Sequence, residues 1–153
     1  VSAAPLIRLA TRGDLAAIVR LIADDGLGRG REDLSATLAA CYTDAFAAIE
    51  ADPNNEIAVM ERDGEIVGCL QLTYIPGLSR QGAWRAQIES VRVASDLRGQ
   101  GLGRKFFEWA IARAKDKGCA LVQLTTDKSR AEAHRFYESL GFTASHDGMK
   151  LGF

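Results

Sequence analysis

The chain has 153 residues, 47% of them hydrophobic and 25% charged, which suits one globular domain, 1–153, with a sizeable core. A net charge of -1 gives no global attraction to nucleic acid or to an anionic membrane. No apolar run approaches the roughly 20 residues of a spanning helix, and the start "VSAAPLIRLATRGD" has no signal-type apolar core, so a cytoplasmic protein is expected.

The chain opens on Val rather than Met, so its first residues read as a processed or appended end. "PLIRLAT" predicts a first strand, and "TRGDLAAIVRLIADDGLG" a helix. Thr11 and Asp14 form a capping pair, Leu15, Ile18, Val19 and Ile22 an apolar face, and Gly26 a stop. The Ala-rich "REDLSATLAACYTDAFAAIEAD" predicts a second helix, ended by Pro53 and Asn54. Two β-type runs then flank Asp63-Gly64, a strong hairpin signal. "PGLSRQGA" is a loop and "WRAQIESVRV" another strand. A glycine-rich turn leads into a helix over 103–117, with Leu102, Phe106, Phe107, Ala110, Ile111 and Ala114 at helical spacing. "ALVQLTT" predicts a short buried strand. "SRAEAHRFYESLG" predicts a helix with a Ser129/Glu132 capping box and a Gly141 stop, and "FTASHDGMKLGF" a last strand. Only one βαβ crossover is visible in this order. The expected fold class is therefore α+β, a single mixed, mostly antiparallel twisted sheet flanked by helices.

Cys41, Cys69 and Cys119 are far apart and odd in number, with no CxxC or Cys/His cluster. They read as buried free thiols in a reducing compartment, and no metal is expected. His134 and His146 have no partner at metal-ligand spacing.

The informative stretch is Arg98-Gly99-Gln100-Gly101-Leu102-Gly103, where a strand hands over to a helix. A helix N-terminus exposes unpaired N–H groups and the positive end of its dipole, and so favours phosphate. Glycines remove the Cβ atoms that would hold an anion off, and Arg98, Arg104 and Lys105 add cations. The bland alternative is a surface turn before a solvated helix face. No stretch fits the Walker pattern, and GxGxG late in the chain argues against a dinucleotide fold.

"RGQGLG" fits the [RQ]-x-x-G-x-[GA] signature of the GNAT superfamily of N-acetyltransferases. "VRVASDLRGQGLGRKFFEWAIARAKDKG" followed by "LVQLTTDKSRAEAHRFYESLGF" resembles two consecutive motifs of that family in order and spacing. The resemblance covers nearly the whole chain and is weakest over 26–55. It implies a GNAT-type fold with a V-shaped opening between two central strands. It also implies an acetyl-CoA-dependent N-acetyltransferase that moves an acetyl group to a primary amine, that of a small molecule, by direct attack in a ternary complex. Family members are often homodimers.

By the same resemblance, Val91, Arg92 and Val93 line the pantetheine arm through their main chain, with the Val93 N–H as donor to the thioester carbonyl. Arg98, Gly99, Gln100, Gly101, Leu102, Gly103 and Arg104 wrap the pyrophosphate. Arg130, Ala133 and Phe136 join the cofactor site; Arg130 stands where many relatives carry Asn, so only its location is carried over, with Lys128 close by. Tyr137 is the candidate acid for the CoA sulfur, although it also lies on the apolar stripe of Ala133, Phe136 and Leu140. Glu89 is the candidate base or amine holder, on the reading that alternation gives it a face in common with Val91 and Val93; Gln87 is weaker, and a salt-bridged glutamate is the alternative. The acceptor would be shaped by 23–34 and 74–84. There Asp24, Asp25, Glu32 and Asp33 could attract an amine, Arg80 and Arg85 an acidic group, and Trp84 could be a platform or core. The "AHRFYE" helix resembles that of small-molecule and aminophosphonate acetyltransferases, which names no substrate. Three alternatives stay open: a non-catalytic acyl-CoA-binding sensor, a protein N-terminal or lysine acetyltransferase, and a nucleotide-binding module.

Overall fold

Asp63 and Gly64 both take positive φ, 52° and 82°, the backbone of a type I′ hairpin turn. The turn joins β2 (Asn55–Arg62) to β3 (Glu65–Ile75), which pair from Arg62↔Glu65 to Asn55↔Thr73 with a one-residue shift between Met60 and Glu61. The computed structural model describes residues 3–26 and 28–153. Val1 and Ser2, in the expected processed end, and Leu27, in the stretch expected to shape the acceptor site, lie outside them.

Around the hairpin, β1 (Leu6–Leu9) pairs antiparallel with β2, and β4 (Arg85–Val93) antiparallel with β3. β5 (Leu121–Gln123) pairs parallel with β4. The result is an open five-stranded mixed sheet, β1-β2-β3-β4-β5. The helices are α1 (Leu15–Ala23), α2 (Ala40–Ala51), α4 (Leu102–Asp116) and α5 (Ala131–Ser139); α3 (Ser79–Gly82) is a single turn of the expected loop, with Arg80 and Gln81 at left-handed φ of 54° and 61°. The first compact unit ends at Gln123; the second is Leu124–Phe153 and contains α5.

Directly opposed residues in an antiparallel ladder share a face, so the register sorts the sheet. One face carries Val59 and Cys69, buried under Ile18 and Leu21 of α1. α2 extends this layer: its Phe46 packs with Leu15 and Val19 of α1. The other face carries Met60, Leu70, Leu72 and Ile88 in line with Gly68. A Cβ on Gly68 would stand 3.3 Å from Phe106 of α4, so the absent side chain lets that ring settle on the sheet. Phe106 and Phe107 are fully buried, each worth about 1.5–3 kcal/mol of burial. Before α1, Asp14 Oδ2 accepts the Thr11 N–H at 2.8 Å, as the capping pair predicts, and also takes Arg8 Nη1 at 2.8 Å.

Several expectations are corrected. Residues 31–39 are irregular chain with bends rather than helix. Asp33 Oδ1 accepts the Ser35 N–H at 2.9 Å, and Tyr42 Oη accepts the Asp33 N–H at 2.8 Å, so local side-chain bonds displace the helical ladder. The Ser129/Glu132 box does not form, because Ser129 donates its N–H and hydroxyl to Asp127 Oδ1, at 2.9 and 2.6 Å. The last strand is absent: among the described residues no strand is formed beyond Gln123, and Met149, Leu151 and Phe153 stand exposed without a ladder partner. Of the three thiols, all free, only Cys69 is buried; Cys41 is exposed and Cys119 intermediate. Among the described residues no helix is long and apolar enough to cross a membrane, and no cluster of three metal-ligating side chains occurs.

Candidate functional site: an open strand edge beside a glycine loop

β4 changes character partway along its length. The step Gln71 to Cys69 on β3 spans Glu89 to Arg92 on β4, one residue more than regular pairing allows. Ser90 is the irregular residue, with φ 53°, and the buried Cys69 thiol lies 3.7 Å from its carbonyl oxygen. Burial pushes that thiol's pKa up to about 12, which keeps it protonated. A β-bulge shifts every later side chain to the opposite face. Glu89 therefore faces Gln71, on the α1 side, while Val93 pairs with Gly68 on the α4 side. The shared face expected for Glu89, Val91 and Val93 is not formed.

The bulge coincides with an open edge. The β4–β5 ladder runs only over Arg85↔Leu121, Ala86↔Val122 and Gln87↔Gln123, so Ile88–Val93 has no strand on that side among the described residues. Ala94 N–H donates to the Val67 carbonyl at 2.8 Å. By antiparallel alternation the main-chain groups of Val93 then point away from β3, toward the open edge. The Val93 carbonyl is taken by Arg98 Nε at 3.3 Å, and its N–H is directed outward.

The glycine loop follows. Gly99 and Gly101 have φ of 80° and 78°, and an added Cβ at either would meet no heavy atom within 4 Å. They provide left-handed backbone and a bare surface rather than close packing. Gly101 is the N-cap of α4, whose first helical bond runs from Lys105 N–H to the Gly101 carbonyl, 3.2 Å. The N–H groups of Leu102, Gly103 and Arg104 precede that bond and have no i−4 acceptor inside the helix. Leu102 is buried and anchors the turn; Gly99, Gln100, Gly101 and Arg104 are exposed. Arg98 also reaches the Asp24 carbonyl at 3.2 Å, tying the loop to the end of α1, and Gln100 Oε1 accepts from Arg62 at 3.1 Å. The donors, the dipole and the cations fit an anionic ligand of pyrophosphate type.

The acidic residues of 23–34 are mostly engaged. Asp25 pairs with Arg92 Nη2 at 3.0 Å, Tyr42 Oη donates to Glu32 at 2.7 Å, and Asp33 holds Ser35. Arg92 thus spends its side chain on an ion pair and faces away from Val91 and Val93. Glu89 is exposed and has no ionic or hydrogen-bonding partner among the described residues. It is the free carboxylate on β4.

In the second unit, Arg130 is the N-cap of α5, and its carbonyl accepts the His134 N–H at 3.2 Å. Ala133, Phe136 and Tyr137 are half-buried. The Tyr137 ring lies between Phe136 and Phe142, with centroids 5.7 and 6.2 Å away. Gly141, at φ 95°, closes the helix as expected.

Sequence reasoning missed the clamp behind the loop. Glu56 on β2 accepts Arg113 Nη2 of α4 at 2.7 Å, and it also takes Arg113 Nε and the Tyr74 hydroxyl. Arg113 and the Tyr74 hydroxyl hold the Glu56 carboxyl below its ordinary pKa against the opposing effect of burial. The periodicity of α4 announced its apolar face and gave no signal for a partner 57 residues away in sequence.

The Acetyltransferase (GNAT) family model matches residues 18–142. Over 105 residues the chain is 34% identical to the aminoalkylphosphonate N-acetyltransferase of Salmonella typhimurium, covering 69% of this chain and 68% of that one. It is 35% identical over 88 residues to the glucosamine 6-phosphate N-acetyltransferase of Trypanosoma brucei brucei, 58% of each chain. A solved structure from Bacillus halodurans, described as a transcriptional regulator, superposes with a TM-score of 0.95 at 53% identity, over 98% of this chain and 100% of that one.

Proposed function

The chain belongs to the GNAT family and is an N-acetyltransferase, and from that premise we propose that it moves the acetyl group of acetyl-CoA onto the primary amine of a small molecule by direct attack in a ternary complex. The observation that carries this is the conjunction of the glycine loop, with φ of 80° and 78° at Gly99 and Gly101, and the unpaired β4 edge leading into it. The family match runs across both units, which supports one acetyltransferase domain. The two curated relatives act on small phosphonate- or phosphate-bearing amines, which supports a small acceptor.

Bound acetyl-CoA supplies an acyl group activated as a thioester. The loop from Arg98 to Arg104 holds the pyrophosphate with main-chain N–H groups and cations. Val91 and Val93 offer backbone partners to the pantetheine arm, as a sheet edge does to a peptide, and Arg92, whose main chain alternates toward β3, is assigned to the cofactor on family resemblance. The Val93 N–H is the donor for oxygen charge at the reacting carbonyl. Arg130, Ala133 and Phe136 are assigned to the cofactor on family resemblance. Glu89 takes the ammonium proton, directly or through a water, or holds the ammonium until it is neutral. Tyr137 Oη carries the proton that the departing sulfur needs. The free thiols support a reducing cytoplasm, and a homodimer, tested by light scattering, belongs to the same proposal.

Calorimetric titration with acetyl-CoA, with ATP and NAD as controls, tests the reading, followed by thiol release with a panel of primary amines. Selective stoichiometric binding and amine-dependent thiol release are expected. No acetyl-CoA binding overturns the assignment, and binding without turnover makes the chain an acyl-CoA sensor.

A further inference from the structure

The row Arg85, Gln87, Glu89 lies on the α1 side of β4, ahead of the bulge. Its two ends are opposite charges. Glu89 has no partner, and neither does the half-buried Arg85, among the described residues. This is unusual within the fold. Arg8, Arg92 and Arg113 are each paired, with Asp14 and Glu61, Asp25, and Glu56. A half-buried cation without a counterion has lost part of its hydration without compensation. Between the two charges the face is polar and neutral. Gln123 Nε2 donates to Gln87 Oε1 at 2.9 Å, and Thr73 Oγ1 to Asn55 Oδ1 at 2.7 Å. α1 packs at the other end of the face, over Val59 and Cys69.

We propose that this row reads a zwitterionic acceptor, with Glu89 meeting its ammonium, Arg85 its anionic group, and the Gln87–Gln123 pair a hydrogen-bonding spacer between them. The proposal deepens the acetyltransferase reading and rests on it. Glu89 lies four steps along the strand from Arg85, about 13 Å between Cα atoms. Arg85 Nη1 lies 3.6 Å from where a Gly77 Cβ would stand, so the guanidinium is held toward the 76–83 loop. The acceptor charges are then about 10 Å or more apart, longer than in a short α-amino acid. The anion, carboxylate or phosphoryl, meets a single guanidinium, and either suits its forked donors.

The test is calorimetric binding to the full chain, with and without CoA, of a ladder of ω-aminoalkanoates and ω-aminoalkyl phosphonates of increasing length, beside the matching alkylamines. The ω-amino anions should bind about tenfold tighter than the alkylamines once their charges reach about 10 Å separation. Arg85→Gln should remove most of that preference, Arg85→Lys should restore part of it, and Glu89→Gln should weaken both series. Should Arg85→Gln fail to fold, the preference of the wild-type chain must fall with added salt. No binding of any ω-amino anion, equal affinity for both series, or an Arg85→Gln loss shared equally by both overturns the inference. Amine-dependent thiol release from acetyl-CoA reports separately on the underlying reading. The carboxylate and phosphonate arms identify the anion.

Discussion

Gly101→Glu separates the fold of the glycine loop from its use. Gly101 caps α4 at φ 78°, and an added Cβ would meet nothing within 4 Å. The substitution therefore fits sterically, and its cost to the fold is left-handed strain, about 1–2 kcal/mol. That strain is present with and without ligand, so it cancels from a dissociation constant. The charge does not cancel. A carboxylate about 4 Å from a phosphate charge repels it by about 1 kcal/mol in water and about 4 kcal/mol at an effective dielectric near 20. The CoA dissociation constant should rise by roughly fivefold to a thousandfold, and the melting temperature should fall by about 2–8 °C. Gly101→Ala carries the strain without the charge. It should melt like the Glu variant and bind CoA far better. Calorimetry at low and high salt resolves the two, because the charge contribution shrinks with screening. A folded Gly101→Glu protein with wild-type CoA affinity would remove the phosphate from this loop.

Tyr137→Phe keeps the ring between Phe136 and Phe142 and deletes only the hydroxyl. Turnover should drop by about 100-fold or more with CoA affinity little changed, and unchanged kcat would leave Tyr137 a packing residue. Glu56→Gln strands the Arg113 guanidinium, which is 31% exposed. Urea unfolding should show a loss of about 2 kcal/mol after allowance for that exposure, and an unmoved midpoint would make the clamp energetically idle. The Arg8 guanidinium holds Asp14, ordinarily near 3.8, down to about 2. Its stabilisation is thus complete above about pH 4 and lost as pH falls through 2, worth about 2 kcal/mol. Asp14→Asn should flatten stability against pH in that window, and an unchanged slope there would deny the linkage.

What was legible in the chain was what local rules encode. Asp63-Gly64 sets the hairpin because both residues tolerate positive φ, and α4 follows from apolar residues at helical spacing. The Thr11–Asp14 pair was readable because its bonds close within one turn. The misses share a different cause. Residues 31–39 open the Ala-rich stretch expected to be helical, yet Asp33 bonds Ser35 and Tyr42 instead. Ser129 is claimed by Asp127 before it can cap. The bulge was invisible because Ser90 has none of glycine's signal for positive φ, so alternation counted straight through it and put Glu89 on the wrong face. The Arg92–Asp25 pair depends on where two distant segments meet.

That odd residue at Ser90 divides β4 into halves that answer to different constraints. Ahead of it, Arg85, Gln87 and Glu89 present side chains, and a single codon changes what they recognise. Beyond it, at Val91 and Val93, the groups directed to the open edge belong to the main chain, which nearly every residue type supplies alike. On the proposed function, one half can drift toward a new acceptor while the other goes on gripping the same donor molecule. A strand with regular pairing throughout would put both halves in one phase, and each change of taste would disturb the grip.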